Sequence, residues 1–151
     1  MTAPARSGAV EIRSHRPADY PQMAELAGQL GYAANAEDIA RRVAGMEPLS
    51  EHSVFVAELP NGEIGGWISV FVYRCVEADA RAEISGLVVD ERLRSQGVGL
   101  RLLERAEQWA REKACQAVGL RSNVIRGRAH AFYERHGYVH SKTQKSFRKT
   151  L

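Results

Sequence analysis

No part of this chain restricts its fold more than residues 81–113. The run 81–89 (RAEISGLVV) reads as a strand and ends in Val88-Val89-Asp90. A short basic loop follows, Glu91-Arg92-Leu93-Arg94-Ser95-Gln96, and Gly97 and Gly99 then open a helical pattern. Leu102, Leu103, Ala106 and Ala110 recur at helical spacing through about Lys113 and form one apolar stripe. Such a stripe must be buried against a sheet, and the short apolar run 117–121 supplies the next strand. The segment therefore predicts one parallel βαβ step. Its loop also has a chemical consequence. The first N–H groups of a helix have no intrahelical partner, and the helix dipole favours negative charge there. Glycines let the backbone approach an anion closely, and Arg92 and Arg94 add formal charge.

The rest of the chain surrounds this step with antiparallel strands and helices. Residues 10–13 read as a first strand. Pro17 suits a first helical turn; Tyr20, Met23, Ala24, Ala27 and Leu30 follow at helical spacing, and Gly31 ends the run. Asn35 and Asp38 have the spacing of a capping box before Ile39, Val43 and Met46, with Pro48 closing that helix. Residues 53–59 and 63–74 are strands joined by the turn Pro60-Asn61-Gly62, which predicts a hairpin. Residues 77–80 are a turn. Residues 127–135 form a last helix stopped by Gly137, and 138–140 and 143–148 read as a final pair of strands. The order β α α β β β α β α β β gives a mixed α/β (α+β) class, with a mostly antiparallel sheet.

The loop at 94–99 has three readings as a phosphate site. A P-loop needs GxxxxGK[ST], which is absent. A dinucleotide fingerprint needs a third glycine, but Leu102 stands there, and the preceding strand joins an antiparallel neighbour. Arg94-x-x-Gly97-x-Gly99 fits the pattern Arg/Gln-x-x-Gly-x-Gly/Ala. Taken alone, that short match leaves open a glycine-rich loop that merely turns the chain. Downstream stand Ser122-Asn123 and then Arg126-x-x-Ala129-His130-x-Phe132-Tyr133-Glu134-Arg135-x-Gly137-Tyr138. The two segments, with the order of elements, resemble the GNAT superfamily of acetyl-CoA-dependent N-acetyltransferases, and more narrowly its small bacterial, aminoglycoside-acetyltransferase-like members.

That resemblance covers residues 9–151 as a single domain and implies a six- to seven-stranded sheet flanked by about four helices. It implies acetyl-CoA as co-substrate and acetylation of an amine, and it assigns roles residue by residue. Arg94, Ser95, Gln96, Gly97, Val98 and Gly99 cradle the pyrophosphate. The backbone of Leu87, Val88 and Val89 pairs with the pantetheine arm; the competing reading makes the valines ordinary core. Asn123 hydrogen-bonds the same arm, against a reading in which it caps the next helix. Arg126, Ala129 and Phe132 line the cofactor. Tyr133 is the acid that protonates the leaving thiolate, against a plain core tyrosine. Glu83 is the base, directly or through a water, against a strand carboxylate that is solvated or paired with Arg81. By strand alternation Glu83, Ser85 and Leu87 share a face. Arg121, Arg126, Arg128 and Arg135 form a basic cluster from which one or two side chains reach the 3′-phosphate.

Composition narrows the partners. The net charge of +3 is small for a nucleic-acid binder, and no nucleic-acid motif is present. No apolar run approaches the roughly 18 residues of a membrane span. Residues 1–8 (MTAPARSG) read as a disordered end without the apolar region of a signal peptide. Cys75 and Cys115 form no metal-binding pattern and read as reduced thiols of a cytoplasmic protein, with no metal expected. Tyr32, Asn35, Glu37, Asp38, Glu77 and Asp79 would give an acidic rim, suited to a small cationic amine. A protein N-terminus or lysine stays open as acceptor, as does a fold that binds acyl-CoA without transferring it. Relatives of this kind are often homodimers, but nothing in the sequence marks an interface.

Overall fold

Alternating apolar residues in the central strands give the sheet two buried faces, and each face determines what packs on it. The computed structural model describes residues 10–151; the N-terminal segment expected to be disordered lies outside them. Five strands follow one another in sheet order: β1 (Glu11–Ser14), β2 (His52–Glu58), β3 (Ile64–Tyr73), β4 (Arg81–Val89) and β5 (Val118–Leu120). The first four pair antiparallel, and β4 and β5 pair parallel. Four α-helices accompany them: α1 (Tyr20–Leu30), α2 (Ala36–Met46), α3 (Val98–Glu112) and α4 (Gly127–Arg135). Chain contacts divide into two units, Met1–Leu120 and Arg121–Leu151.

In the first unit, Val54, Val56, Trp67 and Val88 on one sheet face meet Met23 and Leu26 of α1 and Ile39 and Val43 of α2. Two hydrogen bonds fix α1 on this face: Trp67 Nε1–H donates to the Met23 carbonyl at 3.2 Å, and Ile64 N–H to Gln22 Oε1 at 2.7 Å. The opposite face carries α3, whose Leu102, Leu103 and Ala106 are fully buried. Gly66 on β3 admits Leu102, since a Cβ there would stand 3.1 Å from the leucine and 2.7 Å from the Val88 carbonyl. The capping box of α2 forms as expected, Asn35 Oδ1 accepting from Asp38 N–H at 2.8 Å and Asp38 Oδ2 from Asn35 N–H at 3.1 Å. Strand β1 is held by Arg13, whose fork meets Asp19 at 2.8 and 2.9 Å. Burial alone would raise the Asp19 carboxyl; the Arg13 fork and the Arg16 N–H hold it below the usual carboxylate range. Cys75 and Cys115 are free thiols. Among the described residues, no helix is long and apolar enough to cross a membrane.

In the second unit the structure departs from expectation. Residues 138–140 and 143–148 form no strands, so among the described residues the sheet has five strands rather than six or seven. The cause lies in how α4 ends. Gly137 adopts φ +91°, the Tyr138 N–H donates to the Tyr133 carbonyl at 3.0 Å, and the Gly137 N–H donates to that of Glu134 at 3.2 Å. This closing motif takes Tyr138, the first residue of the expected strand, into the helix cap. The residues beyond it are exposed, rich in Lys and Arg, and lack a glycine or asparagine turn between the two runs. A lone two-stranded pair of that composition has little to stabilise it.

Candidate active site

The β4–α3 junction is anchored from several sides. Asp90, buried at the end of β4, donates its N–H to the Gly65 carbonyl at 2.8 Å. Its carboxylate accepts from the Arg92 N–H at 3.0 Å and from the Arg92 side chain at 2.8 Å. The Arg92 side-chain and backbone donors hold the Asp90 carboxyl below the usual range. Glu91 N–H donates to Gln29 Oε1 of α1 at 3.0 Å. Leu93 fills the space above Gly65, where a Cβ would stand 2.7 Å from its methyl group. The arginine pair expected to charge the loop is thus unequal. Arg92 is neutralised by Asp90, whereas Arg94 has only a long contact to Glu91, 3.9 Å, and stays half-exposed.

Beyond this anchor, Ser95 at φ +67° and Gly97 at φ +82° reverse the chain before α3 begins at Val98. Glycine takes such a φ at no steric cost; Ser95 does not. Among the described residues, the backbone N–H groups of residues 94–100 donate to no protein acceptor. A run of free donors at the start of a 15-residue helix, beside the loosely paired Arg94, has the chemistry that suits a polyanion.

Strand β4 has an open side next to this loop. Its ladder with β5 covers only Ala82↔Val118, Glu83↔Gly119 and Ile84↔Leu120. From Gly86 to Val89, β4 pairs with β3 alone in the described sheet, leaving alternate N–H and C=O groups available to an extended ligand. Val88 also serves as core, packed on the α1 face, while Val89 is half-buried.

A β-bulge alters the expected faces of β4. The register passes from Val70↔Ile84 to Ser69↔Gly86, so Ser85 is the extra residue. Its hydroxyl lies 2.9 Å from Ser69 Oγ. Past the bulge the alternation is inverted, and Leu87, opposite Ile68, falls on the α3 face. Glu83, opposite Phe71, is on the other face, with Val88. The expected sharing of one face by Glu83 and Leu87 is therefore corrected. A lone glycine in a strand, Gly86, was the available signal: a Cβ there would stand 2.8 Å from the Trp67 ring.

Glu83 itself is buried, and its Oε2 lies 3.4 Å from Arg81 Nε, so the ion pair offered as the alternative to a catalytic role does exist. Beside it runs an aromatic strip: His52 stacks on Phe71 at 5.3 Å, and Phe71 meets Tyr73 edge-on at 6.4 Å. Sequence patterning did not single out this strip. Of the expected acidic rim, Asn35 and Asp38 are engaged in the α2 cap and Asp38 also pairs with Arg41 at 3.1 Å. Tyr32, Glu37, Glu77 and Asp79 are exposed. A polar groove of about 490 Å³ between α1 and the β2–β3 turn contains Glu25, Glu63, Asp90 and Arg92 but not Glu83.

In the second unit, Asn123 does not cap α4; Arg126 occupies that position. Asn123 Oδ1 accepts from Ile125 N–H at 3.2 Å, and among the described residues its Nδ2 donates to nothing. His130 Nε2 lies 2.8 Å from the Asn123 carbonyl, which gives this histidine a structural task. The Ser122 hydroxyl is buried without a partner among the described residues. Tyr133 is half-buried, edge-on to Phe132 at 5.2 Å and to Tyr138 at 5.8 Å. Burial pushes its phenol above the ordinary tyrosine value, against a smaller opposing pull from Arg126. Tyr133 thus holds its proton at neutral pH. Arg126 and Ala129 lie at the start of the same helix. Among the described residues, no three His, Cys, Asp or Glu side chains are grouped to hold a metal ion.

The profile of the acetyltransferase (GNAT) family matches residues 14–138, which include both the Arg94–Gly97–Gly99 loop and the Tyr133 helix. The chain belongs to the GNAT acetyltransferase family. Members of this family use acetyl-CoA as co-substrate. Among curated proteins, the aminoalkylphosphonate N-acetyltransferase of Salmonella typhimurium is 39% identical over 84 residues, 55% of this chain and 54% of that protein. The chain thus matches about half the length of this relative. The GNAT domain also has close structural counterparts. A putative acetyltransferase from Agrobacterium tumefaciens superposes with a TM-score of 0.80 at 26% identity, over 92% of this chain and 99% of the other. The aminoglycoside antibiotic 6′-N-acetyltransferase of Acinetobacter haemolyticus has the same fold, with a TM-score of 0.81 at 16% identity, over 93% and 99% of the two chains.

Proposed function

We propose that this GNAT domain, spanning residues 9–151, transfers the acetyl group of acetyl-CoA to a small cationic amine in the cytoplasm. The observation that carries this reading is the run of unpaired N–H groups at 94–100. It suits the two phosphates of a pyrophosphate, with Arg94 adding charge and Ser95, Gln96, Gly97, Val98 and Gly99 supplying backbone donors. The open side of β4 at Leu87, Val88 and Val89 suits the amides of the pantetheine arm, and the Asn123 Nδ2 donor suits the same arm. Arg126, Ala129 and Phe132 would flank the cofactor.

In the reaction, Glu83 takes a proton from the acceptor ammonium, directly or through a water. The neutral nitrogen attacks the acetyl carbonyl, the C–S bond breaks, the departing thiolate receives the Tyr133 proton, and the second proton of the nitrogen leaves as the amide forms and restores the phenol. The Tyr133 phenol, raised by burial, is protonated at neutral pH, as an acid must be before it gives up its proton. The curated relative's activity on aminoalkylphosphonates supports a small amine acceptor. The test is a panel of polyamines, aminoglycosides, aminoalkylphosphonates and lysine or N-terminal peptides, incubated with acetyl-CoA. Thiol release is followed, with mass detection of the acetylated product. Release with small cationic amines is the expected result. Acetylated peptides alone would move the acceptor to protein. Tight acetyl-CoA binding without release from any amine would leave a non-catalytic module.

A further inference from the structure

We infer that Arg81 and Gly119 fix the Glu83 carboxylate in one position, Arg81 as a positioning residue and Gly119 by leaving the space the carboxylate fills. This inference rests on the proposed role of Glu83 as base. Three strands converge on the point. Tyr73 of β3 pairs with Arg81, and Glu83 pairs with Phe71 on one side and Gly119 of β5 on the other. The Arg81 guanidinium lies 4.4 Å over the Tyr73 ring, and its Nε is 3.4 Å from Glu83 Oε2. Stacking on the ring restrains a long side chain that would otherwise sample many rotamers. The Glu83 side chain is only 9% exposed, and a carboxylate so deeply buried needs a charged or hydrogen-bonded partner.

Gly119 explains how the pair fits. The residue sits inside a strand with no left-handed φ, so backbone conformation does not call for glycine. Glycine in a strand interior is less favourable than alanine, because it loses more conformational freedom on folding. Space accounts for it: a Cβ at 119 would stand 3.3 Å from Glu83 Oε2 and 3.6 Å from Arg81 Nε. Any side chain there displaces the carboxylate by a few tenths of an ångström. The geometry at a base matters at this scale, since a misplacement of about 1 Å costs on the order of a hundredfold in rate.

The experiment measures kcat and the KM for acetyl-CoA in the full chain, with the best acceptor from the panel. The variants are Arg81→Gln, Arg81→Lys, Gly119→Ala, Glu83→Gln, and Glu83→Gln combined with Arg81→Gln or Gly119→Ala. Arg81→Gln is expected to lower kcat about tenfold and Gly119→Ala about threefold, each leaving the acetyl-CoA KM within about twofold. Arg81→Lys keeps the charge but loses the planar stack, and recovers part of the Arg81→Gln loss. In the Glu83→Gln background the other two substitutions add nothing, because the group they position is gone. The inference is overturned if Arg81→Gln and Gly119→Ala leave kcat unchanged while Glu83→Gln lowers it. Equal losses with and without Glu83 also overturn it, since those mark a merely structural role. Full turnover by Glu83→Gln is a different failure, because it removes the base itself. Should Arg81→Gln not fold, Gly119→Ala and Arg81→Lys decide the matter alone.

Discussion

At the β4–α3 junction, the groups available to a ligand are backbone N–H donors and the Arg94 side chain; in the 121–138 stretch they are the side chains of Asn123 and of one short helix. The junction holds its donors in place through internal bonds that carry no ligand chemistry, namely Asp90 to Gly65 and Arg92, Glu91 to Gln29, and Leu93 in the space above Gly65. The stretch has ties of its own, among them His130 to the Asn123 carbonyl, the Tyr138 N–H closing α4, and edge-on aromatic contacts around Tyr133. Substitutions therefore act differently in the two regions. Side-chain truncation leaves backbone donors in place, so at the junction it acts through the anchors. The helix fails one side chain at a time.

Tyr133→Phe should break the 121–138 side most severely. We expect kcat to fall about a hundredfold while acetyl-CoA affinity holds, as for loss of a general acid. The pH profile carries the sign. An acid must be protonated, so the activity that depends on Tyr133 persists through neutral pH. It is lost only as pH rises through a phenol value above the ordinary tyrosine value of about 10. Kinetics across pH 6 to 11 on both proteins would check this, and an identical alkaline limb in Tyr133→Phe would count against the role.

Asp90→Asn tests the junction through its anchor. It removes a buried charge-assisted partner of Arg92 and should cost about 2 kcal/mol in a denaturant titration. The Asp90 carboxyl lies below the ordinary range when folded, so its stabilising effect is present above about pH 3.9. That effect is lost as pH falls through the lower folded value. The stability gap between wild type and variant should therefore narrow in acid. Arg94→Ala should weaken acetyl-CoA binding about tenfold by calorimetry, the value of one hydrogen bond from a charged donor. The same change at Arg92 should weaken it less, because its charge is already matched. Ala114→Gly tests the other end of α3, where φ is +59° and the Cys115 N–H closes the helix on the Ala110 carbonyl at 2.9 Å. Glycine there should add about 1 kcal/mol of stability without touching activity, since alanine is strained in that conformation.

Local signals carried much of the fold. Asn35 and Asp38 announced the start of α2, Gly31 and Gly137 the ends of α1 and α4, and Pro60-Asn61-Gly62 the β2–β3 hairpin. The parallel step around α3 followed from one apolar stripe. What escaped depends on partners distant in sequence or on shifts of register. The bulge at Ser85 inverts every later residue of β4, and a strict two-residue alternation cannot foresee it. Counting charge treated Arg92 and Arg94 as equals, whereas Asp90 neutralises one of them. The final strands failed because the backbone of Tyr138 had a nearer partner in the turn of α4. Of the candidate site, the donor loop was legible in its glycines. Gly119 was not, because its reason is a carboxylate from the neighbouring strand.

The central claim is that the N–H groups of residues 94–100 hold the pyrophosphate of acetyl-CoA. Backbone amide spectra of the labelled protein, recorded as acetyl-CoA is added, test it most directly. The amide resonances of Gln96, Gly97, Val98 and Gly99 should move downfield together and saturate with one affinity. Saturable binding that leaves those four resonances in place would contradict it.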